Sequence, residues 1–481
     1  MNFGSDYPTG PTSNFAGVSR LIRNLLIGSF ALALFFVVGL LPIVLPWQFV
    51  VALCGAPIFA ITLWLNPTVG FGFYLIALML SPDFKLSDLM TVSAMGILAI
   101  RLFADRHLPL KLPPVLFRPF WLLIAVIVLS TLGAVLVFHN QVPFVYRDGR
   151  AFVYWLWLPL LLAMKSSGRI SAPQVRTIVV MFAAAIALLA LFQGASGIQV
   201  VAEGRVVVLE GTATPFGGIT RVQIPGLVFV ALTVVFLMIE VATEKIRWWL
   251  AGPLLLLLIA ALYVNFGRAL WAWTALALVF GTFLLPARRA LRLSGLLAVG
   301  LAILVVALTV AKPAVLQNVV DRIVSVQSEG GRGSSFGWRR WENQDAIARI
   351  AASPLYGVGV GGEYRRWISE IRIFEDHTRY VHNAFLFYGL KLGLPGLFVL
   401  LWLLWTIWRQ ALNCRRKSSE KGLGAYETAV AAFIPAFVGL NMTQPEIAGP
   451  FGVLLVSIIA ASLDWEQSDP VKNPLLSRVA G

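Results

Sequence analysis

The chain has 481 residues, 58% of them hydrophobic and 13% charged, and a net charge of +15. Soluble domains carry roughly 45–50% apolar and about 25% charged residues, so too few polar side chains are present to cover a water-facing globule, and the chain reads as a polytopic membrane protein. In such a chain much of the positive charge follows from the inside-positive bias of the loops, and it calls for no nucleic-acid partner.

Residues 1–19, rich in Gly, Pro, Ser, Thr and Asn, are read as a disordered cytoplasmic N-terminus. Arg20 and Arg23 then precede an apolar run to residue 45. That run is too long for a signal-peptide core and has no small-residue cleavage pattern, so it is read as a retained first span. Further apolar runs predict spans near 47–65, 67–81, 88–102, 117–138, 146–164 and 175–195, and, after a polar loop, near 221–241, 248–266, 269–285 and 293–311. A long polar stretch follows, and then spans near 383–408, 427–440 and 449–463. The predicted fold class is an all-α polytopic integral membrane protein with about 12–14 transmembrane helices. Its expected parts are N-terminal transmembrane helices over 20–313, a large extracytoplasmic helical loop over 314–381, C-terminal transmembrane helices over 382–464 and a cytoplasmic tail over 465–481.

The placement of cations sets the orientation. Arg101, Arg106 and Lys111, then Arg288, Arg289 and Arg292, then Arg415, Arg416 and Lys417 gather in loops on one side. The short loops of the other side carry fewer, so the positive-inside rule places the N-terminus in the cytoplasm and the 314–381 loop outside. In that loop Val315, Leu316, Val319, Val320, Ile323 and Val324 form the stripe of an amphipathic helix. A helix over about 338–352 ends before Pro354. The glycine-rich turn 357–362 leads into a third helical stretch carrying Arg365 and Arg366. With no strand before it, this turn is not a dinucleotide site; it lets backbone approach a ligand or a helix end.

Two cysteines, Cys54 in an apolar run and Cys414 in a basic loop, suggest neither a bridge nor a redox pair. Of four histidines, His107, His139 and His377 lie in loops, whereas His382 opens a span beside Arg379 and Asn383. The plain structural alternative is a helix-start histidine bonded locally. His377 and His382 are five apart and do not share a helix face, so neither a metal site nor a cofactor is expected.

His382-Asn383, followed after nine residues by Gly393-Leu394-Pro395-Gly396, resembles the histidine motif of the O-antigen ligase and O-antigen polymerase superfamily. Upstream, Arg339 and the run Pro354-Leu355-Tyr356-Gly357-Val358-Gly359-Val360-Gly361 resemble the family's arginine and PLxGxGxG stretch. Asn265-Phe266-Gly267-Arg268 resembles its arginine between two spans, with Gly267-Arg268-Ala269 in place of the usual SRG. Arg221, opening a span, resembles a second essential arginine, although Pro225-Gly226 stands where Pro-Asn is common.

The resemblance implies a metal-independent glycosyltransferase in a bacterial inner membrane, active on the periplasmic side. It would move a glycan from undecaprenyl pyrophosphate to an acceptor hydroxyl, on another glycan or on a lipid A core, in contact with membrane lipid. Arg221 and Arg268 suit the pyrophosphate, because guanidinium groups hold phosphate oxygens through charge-assisted bidentate bonds. Each has the alternative of a snorkelling anchor at a helix end. His382 suits a general base, since imidazole is a base available at neutral pH. Arg339 is a supporting cation for the pyrophosphate, and Arg332, Arg379 and Asn383 are further supporting positions. The competing readings are a lipid-linked glycan transporter or flippase and a protein O-oligosaccharyltransferase. Coupled carriers normally bury carboxylates near the midplane, but the acids here, Asp148, Glu240 and Glu446 among them, fall at span ends or in loops.

Overall fold

The computed structural model describes residues 47–81, 84–105, 112–201, 205–209, 219–311, 335–368, 377–420 and 424–465, with the single positions 317, 320 and 324. The expected first span, the amphipathic stripe of 315–324 apart from those single positions, and nearly all of the C-terminal tail lie outside the described residues. Helix α1 (Trp47–Leu65) belongs to one compact unit and the chain from Asn66 onward to a second.

In the second unit the helices are α2 (Pro67–Leu80), α3 (Phe84–Ala104), α4 (Pro114–Leu136), α5 (Val142–Val153), α6 (Trp157–Ser166), α7 (Ala172–Ser196), α8 (Leu227–Ala242), α9 (Trp248–Asn265), α10 (Arg268–Leu284), α11 (Ala287–Ala311), α12 (Ser335–Ala352), α13 (Ala384–Glu420), α14 (Ala425–Asn441) and α15 (Pro450–Ser462). Local chemistry sets several ends. Ser171 and Gln174 form a reciprocal capping box at the start of α7, and Gly197, at φ 70°, ends it in the left-handed conformation. Gly226, at φ 85°, holds the start of α8.

Among the described residues five helices are long and apolar enough to cross a membrane: Lys85–Ala104, Pro114–Leu136, Ala172–Ser196, Trp248–Asn265 and Ala384–Ser418. Shorter apolar helices, among them Leu227–Ala242 and Pro450–Ser462, accompany them. The chain is an all-α, multi-pass membrane protein. Helix α8 is buried on nearly every side among α7, α9, α10 and α14, which is why it is hydrophobic all round. Helices α4 and α9 instead turn an apolar face outward, with Leu129 68% and Leu256 70% exposed, as lipid-facing helices do.

Three expectations are corrected. The span expected over 146–164 is two helices, α5 and α6, joined by a 3-10 turn at Tyr154–Leu156. Burial of Tyr154 and Trp155, with the Trp155 indole donating to Tyr388 at 2.9 Å, pins that turn. Arg221 does not open a span: it lies on β2 (Ile219–Gln223), paired antiparallel with β1 (Arg205–Leu209), with Val207 opposite Arg221. The hairpin extends to the Pro225-Gly226 break, and the helix starts only after it. The stretch carrying Arg365 and Arg366 is not helical. Its amides bond elsewhere, Tyr364 to the Thr378 carbonyl at 3.0 Å and Ile368 to His377 Nε2 at 2.9 Å.

Candidate active site

The two glycine motifs of the sequence meet. Inside α13, Gly393 takes φ 70° and ψ −179°, which breaks the helix. Pro395 has no N–H to offer the Lys391 carbonyl, and the Ser130 hydroxyl supplies that donor at 2.5 Å. The Leu394 amide turns to the Pro354 carbonyl, and the Leu390 carbonyl accepts from Val358, both at 2.7 Å. A Cβ at Gly393 would lie 2.2 Å from the Leu355 carbonyl oxygen, so only glycine admits this backbone-on-backbone contact. The Leu394 amide and the Leu390 and Lys391 carbonyls thus find partners in the 354–358 stretch or on α4. The turn approaches a helix, as one of its two sequence readings had it.

A buried ion pair pins the same turn from the other side. Lys391 is fully enclosed; its Nζ lies 2.7 Å from Asp148 Oδ2 and donates to the Gly362 carbonyl at 2.8 Å. The same Asp148 oxygen accepts from the Gly361 amide at 3.1 Å. Sequence reasoning missed this pair. The available signal was a lysine inside an apolar span, an arrangement that is costly unless paired.

This scaffold presents His382 at the mouth of α13. Asn383 caps the helix, its Oδ1 accepting from Phe385 and Leu386 at 3.0 and 3.2 Å. The His382 ring, 18% exposed, places Nδ1 2.7 Å from Oε2 of Glu342, whose side chain is 1% exposed on α12. The Tyr380 ring meets the imidazole edge-on at 5.0 Å. Around Glu342 gather the Trp338 indole at 2.8 Å and Arg365 at 3.3 Å, with Arg365 stacked 4.4 Å over the Trp338 ring. Asp345 lies 3.8 Å from Arg365, and burial pushes its carboxyl above the usual range against the pull of that cation. Glu342 and Arg365 were not singled out from the sequence, since nothing local distinguishes them from solvated loop charges.

Arg379 lies on the glycine turn: it donates to the Gly361 carbonyl at 3.2 Å, pairs with Glu363 at 2.5 Å and stacks 3.6 Å over Phe144. Arg339 is half-buried on α12, the helix that carries Glu342. Arg332 lies outside the described residues.

A second corner joins the other two arginines. Arg221 Nε donates to the Asn265 carbonyl at 3.2 Å, and Asn265 Nδ2 donates to the Val222 carbonyl at 3.2 Å. Three residues on, Arg268 opens α10. Phe266, at φ 54°, makes the turn between the helices. A Cβ at Gly267 would come within 2.3 Å of the Asn265 side-chain oxygen Oδ1. The start of α10 has no side-chain cap, and Asn265 Oδ1 is buried with no partner among the described residues. A helix N-terminus without a side-chain cap favours an anion, and Arg268 is its first residue. No group of His, Cys, Asp and Glu that could hold a metal occurs among the described residues.

The architecture and these two centres describe a multi-pass membrane protein with a histidine–carboxylate contact at the start of α13 and a corner at the start of α10 that carries Arg221 and Arg268. Residues 253–401 match the family model described as O-antigen ligase, which supports the O-antigen ligase/polymerase superfamily for this segment. The match contains Arg268, Arg339 and His382 but not Arg221. No curated protein matches the chain.

Proposed function

We propose that the protein is a membrane glycosyltransferase of surface-polysaccharide assembly. It moves a glycan from undecaprenyl pyrophosphate to an acceptor hydroxyl, on another glycan or a lipid A core, at the periplasmic face of a bacterial inner membrane. The observation that carries this reading is the Arg221–Asn265–Arg268 corner, where Arg221 donates to the Asn265 carbonyl and Arg268, three residues on, is the first residue of a helix without a side-chain cap. A diphosphate leaving group needs such a site, and guanidinium groups supply it without a metal. His382 Nε2 takes the acceptor proton as the acceptor oxygen attacks the anomeric carbon. The bond from that carbon to the pyrophosphate breaks, and undecaprenyl pyrophosphate departs with its added negative charge facing Arg221 and Arg268. Arg339 adds positive charge from α12. Two acids that a coupled carrier could have used are already paired, Asp148 with Lys391 and Glu427 with Arg176.

The test is His382→Ala in a deletion strain, reading surface glycan and lipid-linked intermediates on gels. The expected result is a normally inserted protein, lost surface polymer and accumulated undecaprenyl-linked glycan. Accumulated single repeat units identify a polymerase, and accumulated full-length chains identify a ligase. Unchanged surface glycan would overturn the reading.

A further inference from the structure

We infer that Glu342 is the positioning residue that holds His382 with its proton on Nδ1, so that Nε2 presents the basic lone pair. The inference rests on the reading of His382 as the base.

The argument begins with what surrounds the carboxylate. The Trp338 indole, the Arg365 guanidinium and the His382 amide can only donate, and all three reach Glu342, at 2.8, 3.3 and 3.3 Å. A carboxylate paired with a guanidinium is an acceptor. Its fourth contact, at 2.7 Å, is His382 Nδ1, and two acceptors do not share a hydrogen bond, so Nδ1 is the atom that carries the proton. In a neutral imidazole the other nitrogen then has the free electron pair.

The geometry also fixes the ring. The main-chain amide and Nδ1 of His382 grip the same Glu342 oxygen, which restricts rotation about the side chain, while Tyr380 closes one edge. When Nε2 takes the acceptor proton, the imidazolium is stabilised by a carboxylate that is already in place. The proton does not need to pass to Glu342, and no reorganisation is required at that moment. Arg365, buried and stacked on Trp338, in turn holds the carboxylate. Helix α12 of the polar loop is therefore part of the catalytic centre and not a passive cover. The loop delivers the orienting acid, and the residue just before the Asn383 cap of α13 delivers the base.

The full-length protein is purified into lipid nanodiscs and assayed with undecaprenyl-pyrophosphate-linked glycan extracted from a deletion strain. Glu342→Gln keeps the shape but offers an amide that can donate to Nδ1 and favour the wrong tautomer. It is expected to lower kcat by about 10²-fold or more, with the half-saturating donor concentration unchanged. In parallel, imidazole nitrogen NMR on histidine-labelled protein reads the tautomer directly. With four histidines in the chain, the His382 signals are assigned by their loss in His382→Ala. The expected wild-type spectrum has a protonated Nδ1, and Glu342→Gln is expected to lose that preference. The inference is overturned if wild-type His382 carries its proton on Nε2, a measurement that does not require the variant to fold. It is also overturned if Glu342→Gln keeps kcat within about threefold while His382→Ala is inactive. An active His382→Ala instead removes the parent reading, so the two failures are distinguishable.

Discussion

Asp148→Asn tests the buried ion pair that pins the glycine turn. Lys391 is fully enclosed, and its ammonium group has two acceptors, the Asp148 carboxylate at 2.7 Å and the Gly362 carbonyl at 2.8 Å. Asparagine keeps an oxygen for the Gly361 amide but removes the countercharge, leaving a buried cation with only a neutral acceptor. Breaking a buried pair from one side costs about 3–5 kcal/mol, whereas replacing both partners is often nearly neutral. Lys391→Met is expected to be milder, because the Asp148 carboxylate it leaves still has the Gly361 amide and Arg147 at 3.7 Å. The double variant Asp148→Asn/Lys391→Met is expected to recover most of the loss, giving a strongly non-additive cycle. Steric trapping in bicelles measures the four stabilities. An Asp148→Asn protein within about 1 kcal/mol of wild type, or additive single effects, would refute the account of the pair as the pin of the glycine turn.

Gly393→Ala forces a Cβ into a contact of 2.2 Å at φ 70°; folded yield is expected to collapse, read by size-exclusion chromatography. Gly96→Ala within α3, where the added methyl meets nothing within 4 Å, is the control, expected to be neutral or to gain about 0.5–1 kcal/mol. The Glu446 carboxyl, in the turn between α14 and α15, is pushed by burial from its ordinary 4.5 up to about 7. A raised folded-state value favours the protonated form, so its contribution is fully present below pH 4.5 and is lost as pH rises through about 7. Melting temperature is expected to fall across that window and to flatten in Glu446→Gln. A slope unchanged in the variant would exclude Glu446 as its source.

Much of the scaffold was legible in the sequence. Apolar runs announced the helices, Pro354 marked the end of α12, and the two glycine motifs marked where backbone comes close. The spacing of His382, Gly393 and Gly396 was readable because His382 lies just before the one helix that carries both glycines. It did not show that the Gly393 break and the 354–358 turn complete each other's hydrogen bonds, since those partners lie on different segments. Arg221 was misplaced because an apolar run beginning with arginine reads as a helix, and only pairing with residues 205–209 makes it a strand.

What the sequence determined by itself is the part of the physics that acts between neighbours along the chain. Hydrophobic length selects a membrane, proline and glycine set helix ends, and Asn383 caps the helix that His382 introduces. Only the tertiary structure decided which charges are spent and which serve. Glu342, Arg365, Asp148 and Lys391 look alike as letters, yet one pair pins a turn while the other arranges an imidazole. Electrostatic pairing depends on distance through space and on exclusion of water, and neither quantity is written along the chain.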